Sequence, residues 1–133
     1  MRLSTMLLLT FVVAGLFGLG FLFLPAQMLA FYGQQTDVAG LWMGRFFGAG
    51  LVGAAAIAWF LRGLRDPADQ RPVALGFLVF EALGCLTSLW AVFSPEGTPM
   101  LWLSVAVYGL LALGYLWVLM TRPAGSPLAP AAK

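Results

Sequence analysis

Four long apolar stretches alternate with short polar connections, and proline stands at nearly every transition. Crossing the hydrocarbon of a bilayer takes roughly 20 apolar residues in a helix. The stretches 3–24, 39–61, 73–93 and 100–120 each meet that length. Pro25 follows the first. Pro72 and Pro99 stand where a first helical residue is expected, a position that needs no amide donor. Pro95 and Pro123 follow the third and fourth. Lipid offers no hydrogen bonds to the backbone, so stretches of this kind close their bonds internally, as helices. The pattern predicts an all-α, integral membrane four-helix bundle in one domain over residues 1–122. A Pro/Ala-rich stretch without periodicity, 123–133, is expected to be a disordered tail.

The first span has Arg2 ahead of it, as a signal peptide would. Its apolar run exceeds the roughly 7–15 residues of a signal core. Cleavage after Ala26 or Ala30 would also put Leu24 or Met28 where a small residue is wanted, so a retained span is expected. Between the first two spans, Pro25 to Gly33 reads either as two turns of interfacial helix anchored by Phe31 and Tyr32 or as irregular loop. No internal repeat relates the two halves of the chain.

Charge placement adds an orientation. Arg2, Arg62, Arg65, Arg71, Arg122 and Lys133 flank the spans on one side, while the first and third connections hold no Lys or Arg. Positive residues favour the cytoplasm, so both termini are expected there, in a cell inner membrane. Trp42, Trp90 and Trp102 then lie near the outer interface, and Trp59 and Trp117 near the inner one. Composition agrees: 62% of residues are hydrophobic and 9% charged, against about 25% charged in a soluble domain. A net charge of +2 without a basic stripe gives no footprint for nucleic acid.

Chemistry is scarce. Histidine is absent and Cys85 is alone, so there is no common metal or haem ligand set, no usual general base and no internal disulfide. No nucleophile stands beside a base and no carboxylates are paired, so an enzyme, a metal site or a bound cofactor is not expected. Two charges inside the spans stand out, because each costs roughly 2.5–3.5 kcal/mol at the bilayer centre on insertion scales. Glu81 lies near the middle of the third span. Arg45 lies about 8 Å outward of the middle of the second, at about 1.5 Å per residue, within reach of a pairing. Ser88 on the third span, with Ser104 and Tyr108 on the fourth, falls at matching depths. These five residues are expected to form one buried polar cluster: a structural clasp, a proton-exchanging transport site or the seat of a lipid or quinone head. Gly40, Gly44 and Gly48 repeat at four-residue spacing, and Gly53 and Gly84 extend the small-residue faces, suited to helix packing or to docking of a partner.

The sequence Phe21-Leu22-Phe23-Leu24-Pro25, the closing Tyr32-Gly33 and the run Arg45-Phe46-Phe47-Gly48-Ala49 resemble small four-helix bacterial membrane proteins of a domain-of-unknown-function family, loosely similar in layout to DoxX-like proteins. The resemblance implies a four-helix bundle in a bacterial inner membrane and supplies no activity; DoxX-like proteins are associated with respiratory or redox membrane complexes. The favoured function is a non-catalytic accessory or structural subunit of a larger membrane complex, partnered by lipids and by other subunits or a second copy. The alternative is a small transporter, or a lipid- or quinone-binding bundle, working through Arg45 and Glu81.

Overall fold

The computed structural model describes residues 2–121. The expected tail over 123–133, together with Arg122 and Lys133, lies outside the described residues. The helices are α1 (Leu3–Phe23), α2 (Pro25–Phe31), α3 (Val38–Leu61), α4 (Pro67–Val92) and α5 (Leu101–Thr121), and no strand occurs among the described residues. All except α2 are long and apolar enough to cross a membrane. Their outward faces carry exposed Leu16, Phe60, Trp90 and Met120 among many other large apolar side chains. A water-soluble monomer rarely shows so much contiguous apolar surface; lipid is the solvent that suits it. The chain is a multi-pass membrane protein.

Local chemistry sets the boundaries. Pro25 keeps the preceding Leu24 out of helical geometry and opens α2 as its first residue, so the first part of the connection, Pro25–Phe31, is a helix. Gly33 then turns the chain with φ of 72°, a conformation that side chains resist. The Asp37 carboxylate accepts from the Gly40 amide and starts α3. The third span begins earlier than its apolar pattern predicts. Asp66 accepts from the Ala68 amide at 2.8 Å and Pro67 follows, so capping chemistry outweighs hydropathy. Pro72 therefore lies inside α4 rather than at its start. Pro99 likewise precedes its helix: Thr98, Pro99 and Met100 carbonyls accept from amides three residues on, in a tight turn leading into Leu101.

The long helices form two antiparallel pairs, α1 with α3 and α4 with α5, joined through lighter contact between α1 and α5. The α1–α3 crossing is close. A Cβ on Gly48 would lie 2.5 Å from the Leu22 amide nitrogen and 2.7 Å from the Gly18 carbonyl oxygen. At the end of the bundle that carries the N-terminus, all four long helices share one core. Leu3, Met6 and Leu7 of α1 meet Ala58, Ala74, Phe77, Leu111, Tyr115 and Val118 there. At the opposite end the two connections are stitched together: Gln34 Nε2 donates to the Glu96 carbonyl and the Thr98 hydroxyl to the Tyr32 carbonyl.

Gly48→Ala is expected to lower stability by about 1–3 kcal/mol through overpacking. Gly53→Ala, whose Cβ meets nothing within 4 Å, is expected to leave stability within about 0.5 kcal/mol of the parent. Thermal unfolding of the two variants in mild detergent, followed by helical circular dichroism, checks the contrast.

Candidate functional site

A cavity of about 180 Å³ lies between the two helix pairs. Phe17, Phe21, Phe47, Leu51, Phe80, Val107 and Leu111 give it a largely apolar wall. Its polar groups come from Glu81, Tyr108 and Ser104 on the long helices, and from Tyr32 and Gln34 beside α2. The lining thus runs from mid-helix Glu81 to the α2 end, while the shared core of Leu7, Phe77 and Tyr115 fills the other end.

Glu81 is 1% exposed, and its Oε2 has no hydrogen-bond partner among the described residues. A buried polar oxygen without a partner is uncommon, and a carboxyl is the costliest kind to leave so. Its neighbours are ordered around it. Tyr108 packs its ring over Gly84, where a Cβ would come 2.5 Å from the ring carbons, and stands edge-on to Phe80 at 6.4 Å between centroids. Gly84 is therefore the residue that lets Tyr108 reach the cavity wall. Tyr32 is buried, stacks beside Phe21 and accepts from the Ser104 hydroxyl at 3.1 Å. On the closed side, fully buried Thr10 and Tyr115 share a hydrogen bond of 2.8 Å across the α1–α5 seam, with Phe77 stacked on the Tyr115 ring. This bond ties the two helix pairs together just where the filled core ends.

Of the five residues expected to cluster, the structure brings Glu81, Ser104 and Tyr108 to one cavity. Arg45 and Ser88 are not part of its wall. The expected Arg45–Glu81 ion pair is not formed: the guanidinium lies over the Trp42 ring, 4.9 Å from its centroid. The reason is local. Trp42 is three residues away on the same helical face, and its ring attracts the cation with little desolvation. Ser88 is buried two turns further along α4 and does not line the cavity. The glycine set also divides. Gly44 and Gly48 are covered by α1 and Pro25, Gly40 by Thr36 of the preceding loop and Gly84 by Tyr108, whereas Gly53 faces open space. Among the described residues no three His, Cys, Asp or Glu side chains gather.

Sequence reading did not assign Tyr32, Gln34, Thr10 and Tyr115 to this centre. From sequence Tyr32 reads as an interfacial anchor. The available signal was Thr10 itself, a hydroxyl deep in an apolar helix. Tyr115→Phe is expected to cost about 0.5–1.5 kcal/mol of stability. A double-mutant cycle between Arg45→Ala and Glu81→Gln is expected to show a coupling below about 0.5 kcal/mol. Unfolding midpoints of the variants measure both; strong coupling would restore the ion pair.

No curated protein and no solved structure matches the chain. One family model does match, over residues 1–122. The chain belongs to the family described as Domain of unknown function (DUF8292).

Proposed function

We propose that this protein is a non-catalytic membrane protein that holds a small lipophilic ligand between its two helix pairs, with Glu81 meeting the ligand's polar group. The observation that carries this reading is the Glu81 carboxyl, 1% exposed and lacking a partner for Oε2, in the wall of an otherwise apolar cavity. Ligand sites combine an apolar enclosure with a few convergent polar groups, and an ionisable residue inside a membrane bundle marks such a site by default. A structural clasp would instead have Glu81 bonded to a neighbour, as Thr10 is to Tyr115.

The orientation rests on charge: Arg2, Arg62, Arg65 and Arg71 belong to the end that carries the N-terminus. By the positive-inside rule that end and both termini face the cytoplasm of a bacterial inner membrane, and the cavity lies toward the outer leaflet. The resemblance in layout to DoxX-like proteins supports the same membrane. The reading as an accessory subunit drew on the small-residue faces. Gly44, Gly48 and Gly84 are covered within the chain, which leaves Gly53 as the support for docking another subunit or a second copy.

The test is to purify the full chain from its membrane in mild detergent, extract it with solvent and identify co-purifying lipophiles by mass spectrometry. A stoichiometric lipophile is expected from the parent and not from Glu81→Met. In the emptied protein, Glu81→Met is expected to raise the unfolding midpoint, because an unpaired buried carboxyl gives way to an apolar side chain of similar shape. A fall in the midpoint with ligand retained would mean that Glu81 serves packing, and would end this reading.

A further inference from the structure

The chemistry of the cavity wall narrows the class of ligand, on the reading that the cavity is a ligand site. Glu81 is the one charged side chain among the lining residues. No lining residue carries positive charge, and Arg45, the cation nearest in sequence to lining Phe47, is engaged with Trp42. An anionic head, such as a phosphate or a fatty carboxylate, would therefore meet a carboxyl and no counter-charge. A plain hydrocarbon would leave Oε2 without a partner. A head needing many hydrogen bonds finds few partners: Ser104 donates to Tyr32 and Gln34 to the Glu96 carbonyl, which leaves the Tyr32 and Tyr108 hydroxyls beside Glu81.

The remaining features suit a cation. Phe17, Phe21, Tyr32, Phe47, Phe80 and Tyr108 bring six aromatic side chains to the wall of a cavity that holds one acidic side chain. Ring faces attract cations, and aromatic cages are the common receptor for quaternary ammonium groups. A carboxylate in the same wall supplies the opposite charge that a buried cation requires. Size fits as well: an apolar cavity of about 150 Å³ admits benzene, and this one measures about 180 Å³. We infer that the cavity takes a lipophilic cation, an amine or quaternary ammonium with an apolar body of about one ring, its charge against Glu81 and its body among the aromatic rings.

Benzyltrimethylammonium and its neutral carbon isostere neopentylbenzene have the same shape and differ in charge. Each is titrated against the full chain in lipid nanodiscs, with binding followed by ligand-observed saturation-transfer NMR; phenol serves as a neutral hydrogen-bond donor. The cation is expected to bind more tightly than the isostere. Glu81→Gln is expected to weaken the cation about tenfold or more and leave the isostere unchanged, whereas Glu81→Asp keeps cation binding. Equal binding of cation and isostere, or preferential Glu81-dependent binding of phenol, overturns the cationic class and leaves the lipophilic site standing. Binding of none of the three probes removes the site itself. The comparison of probes on the parent chain decides the matter even if Glu81→Gln does not fold.

Discussion

Inside hydrocarbon a polar side chain has no water to turn to, so leaving one unbonded in a bundle is costly. That cost sets two bonded pairs apart from Glu81. Thr10 and Tyr115 satisfy each other across the seam between the helix pairs, and Ser104 and Tyr32 do so at the α2 end. Glu81 lies between these two bonded pairs along the bundle and keeps an oxygen without a partner. The bonded pairs hold the framework, and Glu81 belongs to the wall of the hollow that the framework encloses.

Glycine placement makes the hollow possible. Gly18 and Gly48 draw α1 and α3 together until backbone touches backbone, and Gly84 lets the Tyr108 ring settle against α4. With each pair drawn tightly together, the volume mismatch collects between the pairs. Large side chains of the shared core fill it at one end of the bundle, and α2 with its stitched connections bounds it at the other. Close packing in one direction and open space in another are two results of the same small residues.

The spans were legible from the sequence because hydropathy over about 20 residues is a strong signal that no tertiary contact needs to supplement. Their ends were less so. Asp66 and Pro67 start α4 ahead of Pro72 because a cap and a proline outweigh the polarity of the residues between. Glu81, Ser104 and Tyr108 could be grouped by depth alone. Arg45 could not be placed, since depth says nothing about direction around a helix, and Trp42 on its own face draws the guanidinium. Thr10 and Tyr32 belong to the centre through contacts 105 and 72 residues away in sequence, which no local pattern encodes.

The pairing of helices that are consecutive spans also sets an order of assembly. The α1–α3 hairpin has its close crossing complete within residues 1–61, before α4 and α5 follow from the ribosome. Contacts local in sequence form early, and domains grow from the N-terminus during synthesis. The seam between the hairpins, carrying the Thr10–Tyr115 bond and the Glu81 cavity, must form last. A chain stalled after the first hairpin would lack both the seam and the cavity, so the Thr10–Tyr115 bond is a mark of the finished bundle.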